Sequence, residues 1–332
     1  MIRRRLGQGP SVSAMCLGAL HFGVFQDAAE SRRRIDTAID MGINFIETAP
    51  MYGAGNSERF VGAAIAGKRD KVVISTKVGL VPDVRVDGAF AVKNVPLTRK
   101  NVAQSVDASL AALGIETIDL LQLHAFDAGT PIEETVAALA QLRDAGKIVY
   151  VGVSNHDADE YATVKTAMRD AGLPFVSFQC HFNMIERRAE EALIRPCHRD
   201  GIGVLCNRGL ARGILGGRYR PGADLPPDSR AASSPRIRAL LSDDILDLVQ
   251  RLSAVAAGEG LSIAQLAVRW LLSREGIISV AVGARTHEQL VDLVRAAQDR
   301  LSPETLEQID AAIADFGHAD AVARAPAMFF EK

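Results

Sequence analysis

Four side chains that could move a proton lie at or near the ends of short apolar runs. Glu47 is the last residue of the run INFIE, and Tyr52 comes five residues later. Lys77 is the last residue of VVISTK, and His124 is the last residue of LLQLH. A phenol has an ordinary pKa of about 10, but a nearby ammonium group lowers that pKa, and a carboxylate keeps the ammonium group charged. An imidazole can share the phenol's proton or polarise a carbonyl oxygen. The set suits proton transfer to a carbonyl that receives hydride. Because no side chain delivers hydride, it predicts a nicotinamide cofactor.

Further polar residues follow the later apolar runs, namely Ser154, Asn155, Gln179 and Asn207. Taken singly, such residues are more often turn residues, helix caps or satisfied polar groups of a core. His124, taken alone, is open to interpretation as a core histidine. Complementary groups at successive strand ends favour a catalytic site over these interpretations.

A repeated unit must position these residues. An amphipathic helical segment, a glycine and a short β-branched run follow one another along the chain, and glycine suits the left-handed residue at a helix C-terminus. The seven glycines are Gly42, Gly67, Gly114, Gly146, Gly172, Gly201 and Gly276. With the first run, MCLGAL, these junctions predict eight strands that run in the same direction and pair in parallel.

Helix starts carry capping signals, in which Ser or Thr precedes Glu or Gln by three positions. The signal occurs from Thr130 to Glu133, with Pro131 as the first helical residue, from Ser262 to Gln265, and from Thr286 to Gln289. A further helix is predicted after the eighth unit, beginning at Ser302 and Pro303.

Eight β/α units can form a doubly wound sheet or a closed barrel. A doubly wound dinucleotide-binding sheet normally carries a G-x-G-x-x-G turn, which this sequence lacks. A single (β/α)8 TIM-barrel domain over residues 1–332 is therefore predicted, although length alone, at roughly 150 residues per domain, is compatible with two domains. Long connections at about residues 78–97 and 207–234 follow the third and seventh strands, and we expect a substrate loop and a lid there.

Composition argues against several kinds of partner. The 38 basic and 40 acidic residues give a net charge of −2, so nucleic acid is not expected as a partner. The sequence has no apolar run long enough to predict a membrane span. Scattered cysteines and the absence of an export signal in MIRRRLGQGP favour the cytoplasm. Oligomeric state stays open between monomer and homo-oligomer.

Two apparent motifs carry no function in this interpretation. Gly62 to Lys68 match the start of a Walker A loop, but Arg69 replaces the required Ser or Thr, and the segment lies at the end of a predicted helix. The histidines lack metal-ligand spacing and no H-E-x-x-H occurs, so no metal site is predicted.

Motifs over nearly the full chain are similar to those of one family. In the order found in the aldo-keto reductases come NFIETAPMYGAGNSE, VVISTKVG, IDLLQLHAFD, GKIVYVGVSNH, FVSFQCHFN, GLARGILGGRY and VAVGARTHEQL. The chain resembles the bacterial and channel-β-subunit branches of that family. The resemblance implies a (β/α)8 barrel that binds NADP(H), less often NAD(H), across its C-terminal mouth. It also implies transfer of the 4-pro-R hydride to an aldehyde or ketone while a tyrosine supplies the proton.

The resemblance also assigns roles to residues of this chain. It maps the catalytic tetrad onto Glu47, Tyr52, Lys77 and His124. It maps cofactor binding onto Ser154, Asn155, Gln179, Asn207, Leu210 and Gly283. Arg285, assisted by Gln289, is the candidate for the 2′-phosphate of NADP, because guanidinium binds phosphate bidentately, so NADP(H) is favoured over NAD(H). An exposed helix-cap arginine is the alternative interpretation.

Three positions depart from the family pattern. Glu47 stands where the family has the shorter Asp, Asn207 where an aromatic residue stacks on nicotinamide, and Leu293 where an asparagine contacts adenine. The Glu47 departure puts the placement of the carboxylate in question. The Asn207 departure puts the binding of the nicotinamide ring in question.

The leading hypothesis is an NADP(H)-dependent reductase of a small aldehyde, ketone or keto-sugar. A catalytically weak nucleotide-sensing or regulatory subunit of the same fold is the alternative that Glu47 and Asn207 keep open. An aldolase with Lys77 as Schiff-base nucleophile is disfavoured by the neighbouring carboxylate. The substrate cannot be read from the sequence, and Phe329 and Phe330 near the C-terminus are candidates either to reach the pocket or to pack elsewhere.

Overall fold

Eight parallel strands close into a barrel at the centre of the protein. The computed structural model describes residues 1–83, 92–314 and 316. The strands are β1 (Arg3–Arg5), β2 (Ser11–Ser13), β3 (Met15–Gly18), β4 (Phe45–Glu47), β5 (Val73–Val78), β6 (Leu80–Pro82), β7 (Val92–Asn94), β8 (Ile118–Leu123), β9 (Ile148–Ser154), β10 (Phe175–His181), β11 (Gly203–Asn207) and β12 (Ile277–Val282). Strands β3, β4, β5 and β8 to β12 form the barrel, and β12 pairs with β3 to close it. The predicted TIM barrel is confirmed, and this closure excludes the doubly wound alternative.

Helices surround the barrel. They are α1 (Ala28–Asp40), α2 (Asn56–Ile65), α3 (Arg99–Leu113), α4 (Ile132–Asp144), α5 (Ala158–Asp170), α6 (Arg195–Arg199), α7 (Arg230–Ser233), α8 (Pro235–Arg238), α9 (Asp243–Gly258), α10 (Ile263–Ser273), α11 (His287–Ala296) and α12 (Pro303–Ala314). The seven predicted junction glycines all have left-handed φ values, between 63° and 89°. They turn the chain from each helical segment into the next barrel strand, as the repeated unit predicts.

Two of the three predicted capping signals form as expected. Ser262 with Gln265 and Thr286 with Gln289 make complete capping boxes. The prediction for α4 is wrong in detail, because the helix begins at Ile132 and Pro131, with ψ of 129°, lies outside it. No side chain caps α4, and the hydroxyl of Thr130 donates instead to the Asp127 carboxylate at 2.6 Å.

An N-terminal hairpin covers the barrel at the end opposite its C-terminal mouth. Strands β1 and β2 pair antiparallel, and Leu6 between them is fully buried in a cluster with Phe45 and Leu205. A Cβ atom on Gly7 would lie 2.7 Å from the carbonyl oxygen of Val176, near the start of β10. The hairpin thus fills the base of the barrel, opposite the strand ends that carry the candidate reactive side chains.

The two long connections lie where the sequence places them. The first contains the hairpin of β6 and β7, while residues 84–91 lie outside the described residues. The second extends to Ser242, further than the predicted 207–234, because Ser229 and Ser234 cap the two short helices α7 and α8 within it. Helix α12 confirms the predicted helix after the eighth unit. Phe329 and Phe330 lie outside the described residues.

Gly62 has a packing role, which explains the apparent Walker A match. It lies within α2, where a Cβ atom would collide with the carbonyl group of Leu113 at the end of α3. Only glycine allows α2 and α3 to approach this closely.

Candidate active site

Glu47, Tyr52, Lys77 and His124 meet at the C-terminal mouth of the barrel. Glu47 ends β4, Lys77 is the next-to-last residue of β5, and His124 directly follows β8. Glu47 is 3% exposed and Lys77 is 1% exposed, so both charges are removed from bulk water. A short turn over Tyr52–Gly55 returns the phenol to these strand ends.

Gly53 makes this turn possible. Its φ is 57°, and a Cβ atom at this position would collide with the carbonyl oxygen of Phe22 in the loop after β3. A side chain at position 53 would push the two loops apart and move Tyr52 away from Lys77.

A hydrogen-bonded triad joins three of the four residues. Lys77 Nζ forms an ion pair with Glu47 and donates to the Tyr52 hydroxyl at 3.0 Å and to the carbonyl oxygen of Thr48 at 3.2 Å. The Tyr52 hydroxyl donates to Glu47 Oε1 at 2.9 Å. The longer Glu side chain therefore reaches both the lysine and the phenol.

Burial controls the protonation of the triad. It raises the pKa of the Tyr52 phenol above its ordinary value, and the Arg208 guanidinium opposes that shift. The expectation that the site lowers this pKa is wrong for this structure, because desolvation of the phenolate outweighs the nearby positive charge. Burial also lowers the pKa of Lys77 to about 7, while the contact with the Glu47 carboxylate favours the charged lysine.

His124 is a neutral imidazole at the edge of the phenol. The His124 and Tyr52 rings meet edge to face, with centroids 6.1 Å apart. Burial and the Lys77 charge hold the pKa of His124 well below its ordinary value. Among the described residues, the buried Nδ1 atom of His124 has no hydrogen-bond partner, so it could bond to a bound molecule.

Ser154, Asn155 and Gln179 lie together beside His124. Asn155 Nδ2 donates to the carbonyl oxygen of His124 at 2.9 Å and to Ser154 Oγ at 3.0 Å. The backbone amide of Asn155 donates to the carbonyl oxygen of Gln179. Asp157, not Ser154 or Asn155, caps α5, so the helix-cap interpretation is wrong. Asn155 has φ of 58°, a left-handed value that asparagine adopts more readily than most non-glycine residues.

Asn207 and Leu210 begin the second long connection. The Asn207 side chain contacts His181 Nδ1, so this position carries a hydrogen-bonding amide in place of an aromatic face. Leu210 packs against the hydrophobic core, and its carbonyl oxygen accepts from the amide of Gly213 at 2.8 Å. The role of both residues in cofactor binding stays a prediction.

Arg285 links the second long connection to the loop after β12. Its Nη1 donates to the carbonyl oxygen of Asp228 at 2.6 Å, and its guanidinium group lies 5.5 Å from the centroid of Phe25. Gln289 Oε1 accepts from the backbone amides of Arg285 and Thr286, so this atom caps α11. If Gln289 binds a phosphate, its side-chain amide nitrogen would make the contact. This role stays a prediction.

Gly283 leaves room for His21 across the mouth. A Cβ atom on Gly283 would lie 3.3 Å from His21 Nδ1, and among the described residues this buried nitrogen has no hydrogen-bond partner. His21 was not predicted, although it directly follows the first predicted run, MCLGAL, so the strand-end criterion could have found it.

A group of arginines is the main feature that the strand-end criterion missed. Arg208 directly follows β11, and Arg212 and Arg230 lie further along the same connection. Arg208 could have been found by the same criterion, because it comes one residue after the strand end at Asn207.

The sequence as a whole matches a known family. The sequence model of the aldo/keto reductase family matches residues 14–314. This chain belongs to the aldo/keto reductase family. An L-glyceraldehyde 3-phosphate reductase from Escherichia coli O157:H7 is 33% identical over 323 residues, covering 92% of this chain and 90% of the relative. A probable voltage-gated potassium channel subunit beta from Arabidopsis thaliana is also 33% identical, covering 93% of this chain and 96% of the relative.

A solved aldo/keto reductase relative has the same fold. The glycerol dehydrogenase from Gluconobacter oxydans superposes with a TM-score of 0.83 at 29% identity, covering 95% of this chain and 96% of that one. Family membership supports an oxidoreductase. In the described part of this aldo/keto reductase, no three His, Cys, Asp or Glu residues form a group that could hold a metal ion, and no helix has the length and apolarity to cross a membrane.

Proposed function

We propose that this protein is an NADP(H)-dependent carbonyl reductase, and in reverse an alcohol dehydrogenase, for a small aldehyde, ketone or keto-sugar. The observation that carries the proposal is the hydrogen bond of Lys77 Nζ to the Tyr52 hydroxyl, 3.0 Å long, at the buried mouth of the barrel. Tyr52 is the general acid in reduction and the general base in oxidation. Family membership supports the same class of reaction.

The residues present fit a nicotinamide nucleotide. The buried Nδ1 atom of His124 and the buried Oε1 atom of Gln122 have no partner among the described residues, so polar atoms of a bound molecule would satisfy them. Ser154, Asn155 and Gln179 would hold the carboxamide, and Arg285 would hold the 2′-phosphate. When bound, the nicotinamide supplies or accepts the hydride.

The side chains of the triad have separate tasks. As negative charge develops on the carbonyl oxygen, Tyr52 transfers its proton to that oxygen, and Lys77 stabilises the phenolate that remains. Glu47 keeps Lys77 charged, and the neutral imidazole of His124 orients the carbonyl oxygen. Burial of Glu47 and Lys77 excludes water, which strengthens each of these interactions.

Arg285→Leu tests the preference for NADP(H). We expect the Kd for NADPH to rise by about ten- to hundredfold and the Kd for NADH to change little, because only NADPH carries the 2′-phosphate. Fluorescence titration of both nucleotides measures the ratio. Arg295→Leu, at an exposed position in the last turn of α11, is the control. Equal weakening of both nucleotides would show that Arg285 acts through its contact with Asp228.

Glu47→Asp tests whether the site requires the longer glutamate side chain. We expect kcat for reduction to stay the same or rise, because the shorter carboxylate withdraws from the Tyr52 hydroxyl while its charge stays near Lys77. Steady-state kinetics with the best carbonyl substrate measures the effect, and Glu47→Gln, which removes the charge, should lower kcat. A large loss in Glu47→Asp would instead show that the site is built around glutamate.

A regulatory subunit is the second candidate function. Asn207, in contact with His181, offers no aromatic face to a nicotinamide ring, and the relative from Arabidopsis thaliana is named as a probable channel subunit. Mixing the protein with NADPH and a panel of carbonyl compounds separates the candidates. Turnover supports the reductase, and nucleotide binding without turnover on any compound supports the subunit. Borohydride trapping of a carbonyl compound on Lys77 would support an aldolase instead.

A further inference from the structure

The loop that carries Tyr52 turns through three consecutive left-handed residues. Gly53, Ala54 and Gly55 have φ values of 57°, 53° and 89°. Because Ala54 is not a glycine, its conformation costs free energy and persists only where surrounding contacts maintain it. Tyr52 lies directly before these residues, whereas the two side chains that its hydroxyl contacts lie on β4 and β5. The contacts that hold the two ends of the loop therefore determine where the phenol lies.

A buried hydrogen bond joins the two ends of this loop. Thr48 Oγ1 and Ser57 Oγ are 2.8 Å apart, and both residues are fully buried. Ser57 Oγ also lies 2.9 Å from the carbonyl oxygen of Ala19, to which it donates its only proton. The proton between the two hydroxyl groups therefore comes from Thr48, and the bonds tie the loop to the segment after β3.

Thr48 also contacts Lys77 through its backbone. The carbonyl oxygen of Thr48 accepts from Lys77 Nζ at 3.2 Å, and the amide of Thr48 donates to the carbonyl oxygen of Ser75 in β5 at 2.8 Å. Thr48 directly follows Glu47 in the chain. One residue therefore links the end of β4 to the lysine and, through its hydroxyl group, to the far end of the Tyr52 loop.

The first turn of α2 makes a second buried contact with the strands. Glu58 follows Ser57 and is 3% exposed, and its Oε1 atom accepts from Thr76 Oγ1 at 2.6 Å. Thr76 directly precedes Lys77 in β5. Two adjacent residues of α2 thus bond to the immediate chain neighbours of Glu47 and Lys77. These bonds fix the C-terminal end of the loop against both strands that carry the partners of the phenol.

We propose that Thr48 and Ser57 are positioning residues, whose hydrogen bond holds the Tyr52 hydroxyl at the distance from Lys77 that proton transfer requires. This inference rests on the proposed function. Displacement of a reacting group by about 1 Å can lower a rate by about 100-fold, so a bond outside the triad can still control kcat. The bond acts on the position of the phenol and not on the nucleotide. It should therefore affect kcat and leave the Kd for NADPH unchanged.

Thr48→Val tests the inference, because it removes the hydroxyl group and keeps the shape of the side chain. We expect kcat for carbonyl reduction to fall by about ten- to hundredfold, with the Kd for NADPH almost unchanged. Thr48→Ser, which keeps a hydroxyl group, should retain most of the wild-type kcat. Steady-state kinetics and fluorescence titration measure the two quantities.

Thr305→Val is the matched control. Thr305 is 1% exposed, and its hydroxyl group contacts Ser302 Oγ at 2.7 Å and donates to Glu259. It lies in α12, which packs against α9 outside the barrel. Thr305→Val should lower the midpoint of thermal unfolding, as Thr48→Val does, but leave kcat unchanged. The comparison separates the position of the phenol from a general loss of stability.

An NMR measurement tests the same inference without turnover. The chain has four tyrosines, so tyrosine labelled with ¹³C at the hydroxyl-bearing ring carbon gives four signals, and Tyr52→Phe identifies the signal of Tyr52. We expect Thr48→Val to shift this signal and Thr305→Val to leave it in place. If the wild-type protein reduces no carbonyl compound, the proposed function fails, but the NMR comparison still tests the hydrogen bond. Near-normal kcat in Thr48→Val, an equal loss of kcat in Thr48→Ser, or an unshifted Tyr52 signal would overturn the inference.

Discussion

Tyr52→Phe should lower kcat for carbonyl reduction by about 10² to 10⁴-fold while leaving the Kd for NADPH almost unchanged. The phenol hydroxyl both receives the hydrogen bond from Lys77 and donates the one to Glu47, so its removal deletes the proton donor from the centre of the triad. The ring itself is retained, and with it the edge contact to His124. Steady-state kinetics and fluorescence titration measure the two quantities separately.

Tyr150→Phe is the matched control. Tyr150 lies in β9, at the closed base of the barrel, where it packs against the cluster that contains Leu6 and Phe45. Loss of its hydroxyl should therefore leave kcat unchanged. Near-normal activity of Tyr52→Phe would remove Tyr52 from the proton-transfer role.

Lys77→Met should lower the free energy of unfolding by about 3–5 kcal/mol, because it leaves the Glu47 carboxylate buried without its positive partner. Both side chains are almost completely buried, so water cannot replace the lost interaction. Urea denaturation followed by circular dichroism measures the change. Lys77→Met combined with Glu47→Gln should recover most of the lost stability, since no buried charge remains.

The exposed pair of Lys165 and Asp200 provides the comparison. Its atoms are 2.7 Å apart, but the side chains are 35% and 30% exposed. Lys165→Met should therefore cost no more than about 1 kcal/mol. If Lys77→Met costs as little as Lys165→Met, Glu47 is not held as an anion in the folded protein.

The fold could be predicted because its signals are local and repeated. Each of Gly42, Gly114 and Gly276 ends a helical segment with a left-handed residue, and the apolar run that follows is long enough to be recognised. The N-terminal hairpin could not be predicted in the same way. Its strands β1 and β2 have three residues each, and the burial of Leu6 depends on contacts with distant strands.

The composition of the candidate site was predictable, but its electrostatics were not. Strand ends located Glu47, Lys77 and His124, because parallel strands bring their C-terminal ends to one mouth. The direction of the Tyr52 pKa shift depends on how completely the phenol is desolvated, which spacing cannot reveal. Contacts across the mouth, such as Arg285 with Asp228, likewise depend on how the long connection folds back.

Transfer of deuterium from NADPH labelled at the 4-pro-R or the 4-pro-S position tests the central claim most directly. The wild-type protein is incubated with each labelled nucleotide and an aldehyde, and the alcohol is analysed by mass spectrometry. We expect one deuterium in the alcohol from the 4-pro-R label and none from the 4-pro-S label, with Tyr52→Phe forming the same product far more slowly. Failure to form alcohol from any carbonyl compound, or deuterium that arrives from the 4-pro-S position, would contradict the assignment of this site as an aldo/keto reductase centre.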